Sequence, residues 1–229
     1  MSSVSTNHGK WFANILTVIL IGSVWGLLEM SLGGFLHTIH FVQTGAVMGG
    51  LAISLMAVFL SITKKPLLVP LLGFIAAAFK PFSALIFGQP VTSAYVINPS
   101  VAIVMEALAF GIVTFILAKT MERHLYAKIG AGFLAGAFGI VLYAVTASIF
   151  GMGKWPMLDL SAKLQTVFDT GAPVAVAGAV MLVIGNYVGK FSMIRLSNLK
   201  HNYPRFYYGT SLALIISCWA IPPIFHLGG

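Results

Sequence analysis

The sequence predicts an all-α, polytopic membrane bundle of about seven helices (six to seven), and three observations carry that prediction. Hydrophobic residues make up 59% of the 229 positions and charged residues only 8%, too little polar surface to cover a soluble globule. The apolar residues fall in runs of about 20, the length that crosses a hydrocarbon core of about 30 Å. The basic residues behind the formal net charge of +8 lie in the short segments between those runs. There they act as topology signals and contacts for anionic lipid, not as a nucleic-acid surface.

Seven spans follow in order, at residues 11–32, 43–62, 67–88, 100–118, 129–152, 170–189 and 207–225. The first lacks a small-residue cleavage site and so is a retained helix, not a signal peptide. Helical spacing puts Gly22, Trp25, Gly26, Glu29 and Gly33 on one broad face. An ionised carboxylate is costly in lipid, so that face must turn inward. Gly33 and Gly34 are expected to end the helix, leaving His37 to His40 in a short outer loop. The second span opens with QTGAVMGGLA. In the third, Pro81 directly after Lys80 predicts a kink, because proline cannot donate to the carbonyl four residues back.

The fourth span contains Glu106, and the fifth is dense in small residues: Gly130, Gly132, Gly136 and Gly139 with Ala131, Ala135 and Ala137 between them. Such spacing, like the Gly22–Gly26 step of the first span, lets helix backbones approach closely. It serves packing within the bundle or docking of a partner helix. Residues 153–169 then hold Trp155 and Pro156 followed by DLSAKLQTVF, where Asp159 or Ser161 would cap a short helix with Leu160, Leu164, Val167 and Phe168 on one side. That helix would lie in the interface, anchored by Trp155, or act as a lid. The sixth span opens with DTGAPVAVAGA, whose likeness to QTGAVMGGLA is too short to make an internal repeat. In the last span Cys218 and His226 are packing residues, and a single cysteine excludes an internal disulfide framework.

Lys10, Lys64, Lys65, Lys119, Arg123, Lys128, Lys190, Arg195, Lys200 and Arg205 fall on one side of this arrangement, and only Lys154 and Lys163 fall on the other. The positive-inside rule puts the amino terminus in the cytoplasm and the carboxyl terminus outside. Residues 1–229 form a single integral membrane domain, a six-helix core at 11–189 and an additional helix at 207–225. A bacterial or archaeal plasma membrane is the expected location.

Ionisable side chains within the membrane mark function by default. At 1.5 Å per residue, Lys80 lies about 20 Å along its span from the cytoplasmic end and Glu106 about 9 Å in from the outer end. The two share one depth and are expected to pair in an outward-facing pocket. Glu29 lies slightly further out, with Asn98, Asp169, His37 and His40 around the mouth. Glu29, Lys80, Glu106, Trp25, Asn98 and Asp169 are therefore the candidate substrate-binding residues. His37 and His40, with Glu29 nearby, offer ligand types for a divalent transition metal. The same three groups define the alternative to transport, an intramembrane metal-dependent enzyme. No GxxxxGK[ST] phosphate loop occurs, so the chain is not expected to hydrolyse ATP.

The glycine- and alanine-rich first spans, the inward-facing charges and the segment INPSVAIVMEALAFGIV together resemble the substrate-binding membrane subunit, or S component, of energy-coupling factor vitamin transporters. The resemblance covers the first six spans and is architectural; such subunits usually have six helices, and this chain carries a seventh. It implies capture of a vitamin, cofactor precursor or metal ion outside, with delivery driven by a transmembrane coupling protein and two ATPases. Gly22 and Gly26 on the first helix would then be the docking face.

Overall fold

The computed structural model describes residues 3–227 apart from Phe87, and side chains from 11 to 223 with the same exception. The helices are α1 (Ser3–Thr38), α2 (Thr44–Thr63), α3 (Val69–Ala77), α4 (Lys80–Ile86), α5 (Ala94–Arg123), α6 (Leu125–Ile149), α7 (Leu160–Asn202) and α8 (Pro204–Leu227), with single 3-10 turns at Pro66–Leu68 and Trp155–Met157. Among the described residues, six stretches are long and apolar enough to cross a membrane, and they match the first six predicted spans: Trp11–Thr38, Thr44–Thr63, Pro66–Ile86, Ala94–Arg123, Leu125–Ile149 and Leu160–Asn202. The fold is an all-α polytopic bundle of the integral membrane type. α8 covers the predicted seventh span; the His226 side chain lies outside the described residues.

α1 does not stop at Gly33 and Gly34, as expected from the sequence, but runs on to Thr38. A glycine inside a helix costs only about 1 kcal/mol relative to alanine. That is too little to end a helix where few waters can satisfy freed backbone groups. Both glycines are buried, and Gly33 faces Glu29 and Met48. His37 is consequently helical, and His40 sits in the following turn with φ 52°.

The kink foreseen at Lys80 is a full interruption between α3 and α4. Phe79 N–H donates to the Ala76 carbonyl at 3.1 Å and Phe82 N–H to that of Phe79 at 3.1 Å, the tighter pattern of a 3-10 turn. Pro81 is the second residue of α4, where its missing N–H would have had no partner. α8 seals the interruption. Its Trp219 lies 4.3 Å, centroid to centroid, from the fully buried Phe79 ring, and its indole N–H donates to Ser23 Oγ at 2.9 Å. The contacts Phe12–Tyr208 and Ser23–Trp219 advance together along the two helices, so α8 runs parallel to α1.

Small residues set the remaining helix spacing. A Cβ on Gly185 would lie 2.8 Å from Ser54 Cα and one on Gly189 2.9 Å from Val58 Cα, so α7 and α2 pack backbone to backbone. Gly136 likewise lets α6 approach Val174 and Ala175 of α7. Dispersion contacts of this kind hold helices together in lipid. The segments opening with QTGAVMGG and DTGAPVAV are side by side: Gly45 faces Thr170, Gly49 faces Val174, and Asn186 Nδ2 donates to Ser61 Oγ at 2.8 Å. α2 and α7 are thus parallel neighbours. Gly22 and Gly26 also pack internally, against Ile75 and Leu72 of α3 and against Phe79. Their face is covered by the chain itself, which corrects the expectation that it docks a partner and favours packing within the bundle.

Asp159 caps α7 as the sequence suggested, with Oδ1 accepting from Ala162 N–H at 2.7 Å. The helix then continues without a break for 43 residues, about 64 Å, so no separate interfacial helix forms. Leu160, Leu164 and Phe168 remain exposed on its projecting first turns. Trp155 is not an interfacial anchor either: it is buried with Tyr143, Ala144 and Ala147. Cys218 is buried, as expected of a packing residue.

Candidate functional site

Gly22, Trp25, Gly26, Glu29 and Gly33 are all buried, so the charged face of α1 points into the bundle. The α3–α4 interruption delivers Lys80 to that face. Lys80 Nζ lies 3.0 Å from Glu29 Oε2, with both side chains 9% exposed, and it also donates to the Glu29 backbone carbonyl at 3.1 Å. The Trp25 indole N–H donates to Glu29 Oε1 at 3.2 Å. Each carboxylate oxygen of Glu29 therefore has its own donor, the arrangement that makes a buried charge tolerable. Trp25 is a positioning residue, 1% exposed and behind the carboxylate.

This corrects the expected pairing of Lys80 with Glu106. Depth along a helix is legible from residue count, but rotation about the axis is not. Starting α4 afresh at Lys80 aims its side chain at α1, which close packing at Gly22 brings near.

Glu106 occupies the opposite wall. It projects from α5 into a cavity of about 250 Å³ that Glu29, Lys80, His37, Thr44 and Tyr143 also line. Its Oε1 atom is buried and has no hydrogen-bond partner in the protein. Two glycines clear the space around it: a Cβ on Gly49 would lie 3.0 Å from Glu106 Oε1, and one on Gly139 3.3 Å from Glu106 Cα. Met48, Ile103, Ile140 and Val174 supply apolar wall. A buried polar atom left unsatisfied costs about 1 to 3 kcal/mol, so the site favours a ligand that donates to this oxygen.

A second cavity of about 220 Å³ shares Glu29, Lys80, His37 and Pro99 with the first and adds Asn98, Tyr95 and Ser83. The Lys80–Glu29 pair thus lines both spaces, and Asn98 joins the site at its margin. Asn98 Nδ2 also lies where a Cβ on Gly153 would come within 2.8 Å, so it touches the loop before α7.

The remaining candidates do not assemble there. Asp169 is exposed on α7 and accepts from Gln165 Nε2 at 3.0 and 3.1 Å, lining neither cavity. His37 lines both cavities and meets Tyr95 edge to face at 6.3 Å, whereas His40 lies beyond the helix end and lines neither. Among the described residues, no three His, Cys, Asp or Glu side chains come together to hold a metal ion. The expected set of His37, His40 and Glu29 does not form: His37 sits on the last turn of α1 beside the cavities, while α1 ends at Thr38 and His40 lies in the turn beyond it.

Thr44, Met48, Gly49, Gly139, Tyr143 and Val174 belong to the cavity and were not foreseen. Thr44, Met48 and Gly49 share one broad face of α2 by spacing, but spacing alone does not say that this face turns toward Glu106. No family model, curated protein or solved structure matches the chain.

Proposed function

We propose that the protein is a membrane transport subunit that captures a small solute in the Glu106 cavity for uptake. The observation that carries this reading is the buried, unpartnered Glu106 Oε1 facing a cavity whose other charges, Lys80 and Glu29, already satisfy each other. The Lys80–Glu29 pair is complete, so Glu106 Oε1 is the buried acceptor in the cavity that is left without a donor among the described residues. A solute with an N–H or ammonium group on a compact apolar body fits that lining. At about 250 Å³ the cavity is slightly smaller than most ligand sites, suited to a single-ring molecule such as a vitamin fragment or cofactor precursor.

The cavity lies at the end of the bundle where α1 stops and α2 begins, away from most lysines and arginines. The positive-inside rule makes that end extracytoplasmic. Capture from outside, with no phosphate loop in the chain, supports an energy-coupling factor type of S component driven by a coupling protein and ATPases. α8 would be an addition to its six-helix core. Because Gly22 and Gly26 are covered, partner docking would use another face of the bundle.

Native mass spectrometry of the purified protein tests the reading. A small molecule should be retained by the parent and lost from Glu106→Ala, with the melting temperature of the variant showing that it remains folded. Retention of the same molecule at the same occupancy in folded Glu106→Ala would reject the site.

A further inference from the structure

At the lysine-rich end of the bundle, opposite the Glu106 cavity, a third cavity of about 270 Å³ lies between α2, α5, α6 and α7. Lys64, Lys128 and Lys190 line it from three different helix segments, with Glu122 the carboxylate in its wall. Among the described residues the one ion pair is Lys80–Glu29, so none of these three lysines is within ion-pair distance of Glu122, and the lysines outnumber it three to one. Three cations at one cavity repel each other and favour an anion between them. Asn186 and Ser61 add polar wall, joined by a 2.8 Å hydrogen bond.

The backbone supports the same conclusion. Lys64 is the C-cap of α2 with φ 56°, and its N–H donates to the Leu60 carbonyl. Glycine adopts that conformation without steric penalty. A lysine there accepts strain and keeps a cation at the cavity. The level is also informative: α2 ends and α6 begins here, where the helices leave the apolar layer, and Leu60, Ala118 and Met121 form apolar wall. Basic pockets between helices at this level suit phosphate head groups.

We propose that this cavity binds a phosphate-bearing anion through Lys64, Lys128 and Lys190. The same chemistry serves the headgroup of an acidic phospholipid in the adjoining leaflet or a soluble phosphate.

The full-length protein in neutral detergent is titrated with short-chain phosphatidylglycerol, with phosphatidylcholine of equal chain length and with inorganic phosphate, and thermal stabilisation is followed. Saturable stabilisation by phosphatidylglycerol but not phosphatidylcholine is expected if the source is lipid; an equal response to inorganic phosphate identifies a soluble anion. Each of Lys128→Gln and Lys190→Gln should weaken the response about fivefold, while Lys119→Gln and Arg195→Gln, outside the cavity, should leave it within about twofold. Lys64→Gly should be at least as stable as the parent without anion, by relief of the left-handed backbone, yet bind about fivefold more weakly. No saturable response to either phosphate source, or equal losses in the control variants, would overturn the proposal.

Discussion

Replacing Lys80 by methionine removes the cation 3.0 Å from Glu29 Oε2 and leaves that carboxylate with only the Trp25 N–H, in a site where both side chains are 9% exposed. Breaking a buried pair from one side costs about 3 to 5 kcal/mol. Glu29→Gln should be milder, because Lys80 keeps its 3.1 Å bond to the backbone carbonyl of residue 29, a charged hydrogen bond of about 1.5 to 3 kcal/mol. The double variant holds no unpaired charge and should recover much of the loss. A coupling energy of about 2 kcal/mol is therefore expected from a double-mutant cycle on reversible unfolding in mixed micelles. The parallel Lys80 and Glu106 cycle should show clearly weaker coupling, since the two share a cavity wall but form no ion pair. Additive losses for Lys80 and Glu29, or strong coupling of Lys80 to Glu106, would refute the assigned pairing.

Other consequences follow from the same contacts. Glu106→Leu should stabilise the solute-free protein by about 1 to 3 kcal/mol, since it removes an unsatisfied buried oxygen, and should abolish solute binding; a destabilised variant would contradict this. Trp219→Ala should cost about 3 to 5 kcal/mol through lost packing on Phe79 and the lost bond to Ser23, measured as the unfolding midpoint; a change under 1 kcal/mol would show that α8 is peripheral. A reporter active only in the cytoplasm should work when fused after Lys65 or Arg195 and fail after Gln89. The reverse pattern would invert the bundle.

The spans were legible because apolar runs of membrane length leave few alternatives, and the buried face of α1 was legible because Gly22, Trp25, Gly26, Glu29 and Gly33 recur at helical spacing. Pro81 located the interruption beside Lys80. Rotation was not legible, so Lys80 was matched to Glu106 by depth when it meets Glu29. Turn propensity also misled at Gly33 and Gly34, where the need to keep the backbone hydrogen-bonded outweighs glycine's weak preference, and at residues 153–169, where a correctly read Asp159 cap starts a continuous α7. Small residues carried two meanings. Gly185 and Gly189 pack helices together, while Gly49 and Gly139 clear space for a carboxylate, and only their neighbours in space distinguish the two uses.

The most direct test of solute capture is isothermal titration of the molecule recovered from the purified protein into solute-free parent and Glu106→Gln. One site per chain is expected in the parent, with binding at least about tenfold weaker in Glu106→Gln, the loss of a charge-assisted hydrogen bond, and unchanged in Lys190→Gln. Equal affinity of parent and Glu106→Gln would contradict the assignment of Glu106 as the group that holds the solute.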